Sequence, residues 1–142
     1  MKIGFLTDKN GYRAPIHPES IEKYSLDVHL EKDIFEYLKY SESIQNNVKT
    51  ISKVSDLDIV ACVENIEDKK IKDLKEGAIL IGIFDFEKIE DIKNLRPDIK
   101  ILSFFKLPRI SRAQNLDALS SQANLLGYAS VLRAAKETSD VV

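Results

Sequence analysis

Cysteine occurs once in these 142 residues, tryptophan not at all, and glycine only five times. Each scarcity removes a class of explanation. The single cysteine, Cys62, lies in the apolar run 59-IVACV-63; it excludes an intrachain disulfide and every cysteine-based zinc framework, and it fits a reducing compartment. None of the glycines forms a G-x-G-x-x-G or Walker-type pattern, so the turn that grips dinucleotide phosphates is missing. A complete nucleotide enzyme is not expected. An excess of one charge is also lacking: 21 Lys and Arg against 23 Asp and Glu leave a net charge of -2. That gives no general attraction to nucleic acid or to an anionic membrane, so any anion site must be local. No apolar run approaches the roughly 20 residues of a bilayer span, and the opening MKIGFLTDKN turns polar too early for a secretory leader. The chain reads as soluble, neither secreted nor membrane-spanning by itself.

What is present is a repeating alternation. Apolar runs of strand length recur at 3-IGFL-6, 26-LDVHL-30, 57-LDIVACV-63, 78-AILIGIF-84 and 99-IKILSFF-105. Charged segments with helical spacing lie between them: one from Pro18 to Tyr24, one around Ile34 and Leu38, one in 66–74 and one in 86–95. In the last, Ile89, Ile92 and Leu95 repeat every three residues, and Pro97 closes it. Consecutive apolar positions imply strands buried on both faces. Alternation with helices of this size implies βαβ units, hence an α/β fold with an open, mainly parallel sheet flanked by helices, a flavodoxin-like or Rossmann-like three-layer sandwich. The length suits one domain over 1–142, and no linker or internal repeat marks a boundary.

The final helix is the clearest. From Asn115 onward, Leu116, Leu119, Ala123, Leu126 and Ser130 make a narrow apolar stripe, and Asp117, Ser120, Ser121, Asn124 and Tyr128 make a second stripe beside it. Gly127, costly in a helix, marks either a close helix-to-strand approach or ordinary tolerance.

Isolated reactive residues carry little. His17 and His29 have no metal-ligand spacing around them and read as non-catalytic, and Cys62, with nothing basic beside it, reads as a buried structural thiol. Lys69, Lys70, Lys72 and Lys75 are interleaved with Glu67, Asp68, Asp73 and Glu76, the pattern of a solvated helix face. Arg13 follows the first strand, where it either clamps a ligand carboxylate or ties its loop to the fold.

The stretch 108-PRISRAQNLDALSSQANLLGY-128 is different. It leaves the carboxyl end of a strand, the edge at which open α/β sheets bind ligands. Arg109 and Arg112 supply planar multi-donor groups, Gln114 supplies a donor and an acceptor, and the helix that follows offers free N–H groups. That set suits a polar, partly anionic ligand with amide or sugar groups. The plainer alternative makes Asn115 or Asp117 a helix cap, Ser111 a turn residue and the arginines partners of surface carboxylates.

The same string, Pro108 to Gln114 continuing through Asp117 to Asn124 and Gly127-Tyr128, resembles the signature loop and helix of the NAD(H)-binding component of proton-translocating NAD(P) transhydrogenase, in its alpha subunit. Weaker agreement covers most of the chain: the first strand with Arg13 and Pro18, the strand Asp58 to Val63, and Gly77 to Ile81. The resemblance implies that Arg109, Gln114, Asp117 and Ser120 contact the nicotinamide and its ribose, with Arg109 and Gln114 nearest the hydride path. It implies NAD(H) as cofactor, NADP(H) on a partner component, and no metal. It also implies a homodimer that meets NADP(H)-binding and membrane components at the cytoplasmic side of the inner membrane.

The related alanine dehydrogenase architecture has a catalytic lysine at the strand position of Cys62 and a catalytic histidine near Phe84-Asp85-Phe86; this chain has neither. Three further departures matter. The family's second, Rossmann-type lobe lies beyond 136-KETSDVV-142, so the chain corresponds to the N-terminal lobe alone and is not expected to catalyse by itself. The segment from Leu30 to Val54 is shorter than in the family, and Ala129 stands where relatives often carry a basic residue. The resulting expectation is a component that orients NAD(H) for hydride transfer to NADP+, coupled to proton translocation. The alternatives are a non-catalytic dimerisation or docking module and, behind it, an alanine dehydrogenase-like oxidoreductase.

Overall fold

The structure is a computed structural model, which describes residues 1–8, 13, 15–23, 27–34, 48–108 and 110–139. By their contacts these residues divide into two compact units, Met1–Ser103 and Phe104–Val142.

The first unit is built on a six-stranded sheet. Its strands are β1 (Lys2–Phe5), β2 (Asp27–Leu30), β3 (Lys49–Thr50), β4 (Ile59–Ala61), β5 (Ile79–Gly82) and β6 (Lys100–Ser103). The order is β3-β2-β1-β4-β5-β6, and every neighbouring pair is parallel. The expected open α/β sheet is therefore present, and it is wholly parallel. Five strands fall within the apolar runs of the sequence or one residue beyond them. β3 does not: two exposed polar residues, Lys49 and Thr50, carry no hydrophobic signal and are held only along β2.

Helices α1 (Pro18–Lys23), α2 (Asp68–Lys72) and α3 (Phe86–Leu95) accompany this sheet. Of the helix expected around Ile34 and Leu38, residues 32–34 are helical and the remainder lies outside the described residues. Adjacent residues of a strand point to opposite faces, and β1 with its continuation shows this directly. Phe5 packs with Ile21, Val28, Leu30 and Ile34, whereas Leu6 joins the larger cluster that contains Val60, Leu80, Ile71, Ile89 and Ile92. Apolar layers therefore cover both faces. At about 25 cal/mol per Å² of apolar surface, burial of this kind is the main force that holds such a sheet together.

Local signals end the elements. Asp85 caps α3 by accepting the Lys88 N–H at 2.8 Å, and α3 stops at Leu95, two residues before Pro97. Arg96 then reaches back to α2. Its guanidinium donates to the carbonyls of Lys72 at 2.8 Å and Leu74 at 2.7 Å and pairs with Asp98 at 2.7 Å. Because the Lys72 carbonyl ends α2 without a helical donor and the Leu74 carbonyl lies just beyond it, one arginine closes the end of α2 and fixes the turn before β5. Gly77, at φ +70°, supplies the left-handed residue in that turn.

The second unit contains two 3-10 segments, Phe104–Lys106 and Ser111–Leu116, followed by the 22-residue helix α4 (Ala118–Ser139). The sequence extends the last strand through Phe105; the structure ends it at Ser103. A Cβ placed on Gly127 would meet nothing within 4 Å among the described residues, so within its own unit the helix makes no close approach there.

Candidate functional site

Two places collect chemistry-bearing side chains. The first is the carboxyl edge of the sheet between β1 and β4, where the strand order reverses direction and open α/β proteins place ligands. Asp8 follows β1 and is only 4% exposed; Glu64 and Asn65 follow β4. Arg13 joins them, donating to both carboxylate oxygens of Glu64 at 3.2 and 2.7 Å and to Asp8 at 3.1 Å. The second Asp8 oxygen accepts the Asn65 N–H at 3.3 Å. The hydrogen bonding of Arg13 to the Glu64 carboxylate raises the Arg13 pKa and outweighs the opposing effect of burial. Arg13 thus ties its loop to two strands, as the structural alternative had it.

Beside this cluster, Glu31 accepts from the Thr7 N–H at 2.9 Å, the Thr7 hydroxyl at 2.5 Å and Lys70 at 2.5 Å. Burial opposes its ionisation, but Lys70 and Thr7 outweigh that and hold the Glu31 pKa below the usual carboxylate value. Lys75 likewise pairs with Asp58. Two of the four lysines in that stretch thus make structural ion pairs beyond their own helix.

The remaining reactive residues do not make an active centre here. Cys62 is buried, and burial with the nearby negative charge of Asp8 pushes its thiol up to about 12, far from a nucleophilic thiolate at neutral pH. His29 is largely buried, with Nε2 3.2 Å from an Asp27 oxygen yet making no aligned hydrogen bond, whereas His17 is exposed. No grouping of three metal-ligating side chains occurs among the described residues.

The second place lies in the 104–142 unit. A cavity of about 730 Å³ is lined by Phe104, Leu107, Pro108, Gln114, Asp117 and Ser120, among others. Ala113, buried and bonded through its N–H to the Ile110 carbonyl at 2.9 Å, anchors the 3-10 segment beside exposed Gln114. Asp117 starts α4. Its Oδ1 accepts the Ser120 N–H at 3.0 Å and its Oδ2 the Ser120 hydroxyl at 2.6 Å, while its carbonyl accepts from the Ser121 hydroxyl at 3.3 Å. The helix is therefore capped by Asp117, one of the two caps that the sequence offers.

Capping does not exhaust the site. Gln114 supplies both amide polarities, and Phe104 and Phe105 add flat apolar walls. A cavity of this size, with apolar walls and a few converging polar groups, has the character of a site for a small organic molecule or half of a dinucleotide, within the usual range of about 300–1,000 Å³. Three of the four residues singled out in the sequence, Gln114, Asp117 and Ser120, line it together; Arg109 lies outside the described residues. The phenylalanines were hidden inside the apparent strand 99–105. The signal available for them was two aromatics placed just before the proline-bearing loop.

No family model matches the chain. Individual proteins do. It is 35% identical over 139 residues to NAD(P) transhydrogenase subunit alpha of Haemophilus influenzae, covering 91% of this chain and 27% of that protein. It is 34% identical over 151 residues to the first part of NAD(P) transhydrogenase subunit alpha of Rickettsia prowazekii, covering 94% of this chain and 39% of that one. The chain thus spans between about a quarter and two-fifths of these relatives. Among solved structures, the transhydrogenase of Sinorhizobium meliloti superposes with a TM-score of 0.83 at 26% identity, over 96% of this chain and 45% of that chain. An L-alanine dehydrogenase superposes over 78% of this chain with a TM-score of 0.58 at 15% identity, a likeness of fold.

Proposed function

We propose, starting from a chain homologous over most of its length to a portion of NAD(P) transhydrogenase subunit alpha, that it forms one wall of an NAD(H) site and orients the nicotinamide for hydride transfer to NADP+ on a partner component. The observation that carries this reading is the shared cavity: Gln114, Asp117 and Ser120 line one recess in the segment with the transhydrogenase-like string. The lining fits a nicotinamide and its ribose in kind, with an amide, a hydroxyl and a carboxylate beside aromatic walls.

When bound, two nicotinamides supply the redox chemistry between themselves, so the protein needs neither nucleophile nor general base. What this chain contributes is position. Gln114 meets the carboxamide or ribose through its own amide, Asp117 and Ser120 accept and donate at ribose hydroxyls, and Phe104 with Phe105 excludes water from the ring. Arg109 is assigned to the carboxamide or a phosphate. Orientation of this type contributes several kcal/mol in well-placed reactions, up to about 7–11 in the best cases. In the assembled enzyme this transfer is coupled to proton translocation, and the chain acts as a homodimer at the cytoplasmic face of the membrane through its partner subunits. By itself it is inactive, because it lacks the glycine-rich phosphate turn.

An alanine dehydrogenase activity is disfavoured by burial. Where that enzyme would carry its lysine this chain has Cys62, packed inside the core, and where it would carry its histidine it has Phe84-Asp85-Phe86. The non-catalytic docking reading retains one supporting observation, the large exposed apolar side chains of α4.

Titration with NADH separates the readings when applied to this chain and to a two-lobe protein carrying the glycine-rich turn, each with and without Arg109→Ala. The proposal expects weak or no binding by the chain, firm binding by the two-lobe protein and a loss of about tenfold with Arg109→Ala, equivalent to one charge-assisted hydrogen bond. A two-lobe protein that fails to bind NADH would overturn it in favour of docking.

A further inference from the structure

The first unit holds a second, smaller recess of about 250 Å³, bordered by the β3–β4 connection and by residues of β1 and β2. Its charge runs against that of the chain. Where the whole sequence carries a net -2, this recess is lined by Lys2, Lys49 and Lys53 against one carboxylate, Asp56, and Thr50 and Ser52 add hydroxyls. Among the described residues, the ammonium groups of Lys2 and Lys53 and both hydroxyls have no ionic or hydrogen-bonding partner. Leu57, buried against Gly4, supplies an apolar side.

One buried group in the lining is unfinished. His29 has a side chain only 12% exposed, and its Nε2 makes no hydrogen bond although an Asp27 oxygen lies 3.2 Å away. That same oxygen, Oδ1, accepts from the Lys49 ammonium at 2.8 Å. Lys49 thus stands between Asp27 and the recess, and it competes with the imidazole for one acceptor. A buried polar atom without a partner is costly, so an arrangement that gives His29 its acceptor is favoured.

We propose that the recess binds a small phosphate group, free or as a monoester, between Lys2, Lys49 and Lys53 and the Thr50 and Ser52 hydroxyls, and that binding draws Lys49 off Asp27 so that His29 closes its bond to Oδ1. Size and donor chemistry choose the ligand. The volume falls below the roughly 300–1,000 Å³ of sites for larger organic molecules, which excludes a dinucleotide. No arginine is among the lining residues, so the planar fork that matches a carboxylate is missing, whereas separate ammonium and hydroxyl donors suit oxygens spread over a tetrahedron. Three lysines less Asp56 leave an excess of two positive charges, and a phosphate at pH 7 supplies about -1.5 to -2. Neither the recess nor its test involves the NAD(H) site.

The test titrates the nitrogen-15-labelled chain at fixed ionic strength with inorganic phosphate and, separately, with glycerol phosphate, followed by NMR. Saturable shifts are expected at the amides of Thr50, Ser52 and Lys53, and the tighter of the two ligands identifies the source of the phosphate. Lys2→Gln combined with Lys53→Gln, both at exposed positions, should weaken binding about tenfold or more, the loss expected when charge-assisted bonds are removed. Lys93→Gln, on the exposed side of α3, should change it less than about twofold. The His29 ring-nitrogen signals should move on binding, and Lys49→Ala should move them the same way without phosphate. Four results would overturn the proposal: shifts that never saturate with either ligand, the same shifts from chloride, an undiminished response in the double variant, or His29 signals indifferent to both phosphate and Lys49→Ala. Sedimentation with phosphatidic acid vesicles that free phosphate does not compete away would replace it with a membrane contact.

Discussion

Ser120 meets Asp117 twice, through its backbone N–H at 3.0 Å and through its hydroxyl at 2.6 Å, so one carboxylate both starts α4 and sets the hydroxyl at the cavity wall. The double contact separates structural from ligand roles. Asp117→Ala removes a helix cap and should cost about 1 kcal/mol of stability. Ser120→Ala keeps the backbone bond and should cost under about 0.5 kcal/mol. If the cavity holds a ribose, Ser120→Ala should nevertheless weaken NADH binding by the two-lobe protein severalfold. Urea melts alongside NADH titration check the pair, and a loss confined to stability would make Ser120 a capping partner only.

Gln114 sits in the wall without a structural task as visible as the cap. In the assembled enzyme, Gln114→Ala should depress hydride transfer more than NADH affinity, because an orienting group acts chiefly on the reacting geometry. Single-turnover rates measured beside NADH affinity decide it. Equal losses in both would reassign Gln114 to simple binding.

Arg13 is expected to matter to stability. Arg13→Ala leaves the buried Asp8 carboxylate without its cation and should cost about 2 kcal/mol, a figure set below the usual buried-pair loss of about 3–5 because Arg13 itself is partly exposed. Asp8→Asn in the same background should recover part of the loss. Denaturant midpoints of the single and double variants test this, and additive losses would dissolve the coupling.

Arg96 makes a sharper comparison between two cations. Arg96→Lys keeps the charge but cannot span the Lys72 and Leu74 carbonyls while also pairing with Asp98, so about 1–2 kcal/mol should be lost. Asp98, whose pKa is driven down chiefly by its hydrogen bond to Arg96, should titrate closer to an ordinary carboxylate in that variant. Thermal melts and carboxyl titration by NMR report the two effects separately.

Acid should unfold the sheet edge in part through Glu31. Its pKa is lower in the folded protein than the ordinary value of about 4.3, so the unfolded state binds the proton more readily. The contribution is therefore fully present above about pH 4.3 and disappears as pH falls through the depressed folded value. Glu31→Gln should be less stable than the parent at pH 7 by about 1 kcal/mol, discounted for partial exposure, with the gap narrowing steadily below pH 4. A gap independent of pH would mean that Lys70 and Thr7 hold the side chain by geometry alone.

The sheet was legible because central parallel strands are apolar on consecutive positions: Leu80, Val60 and Cys62 are buried as their neighbours in sequence imply. β3 was illegible because its two residues are exposed and polar, and edge pairing leaves no compositional trace. At the cavity, the polar triad of Gln114, Asp117 and Ser120 announced itself by excess polarity. Phe104 and Phe105 did not, since an aromatic pair after a strand reads the same whether it continues a ladder or turns to face a recess. On α4 the expected apolar stripe is not a buried one: Ala123 and Leu126 are as solvent-exposed as Leu125 and Leu132. A hydrophobic period locates a helix but does not say which of its sides is buried.

The place of β1 in the middle of the sheet shapes how the chain reaches this structure. Its first residues need partners on both sides, and the Lys2 N–H finds the Asp58 carboxylate only 56 positions later. A chain emerging from the ribosome can pair β1 with β2 early but must carry the other edge of β1 unpaired until β4 has been made. Long-separation parallel pairing of this kind slows folding and prolongs exposure of strand edges. Yield in cells should thus depend on how quickly residues up to Ala61 emerge, through synthesis speed and chaperone supply, as well as on final stability.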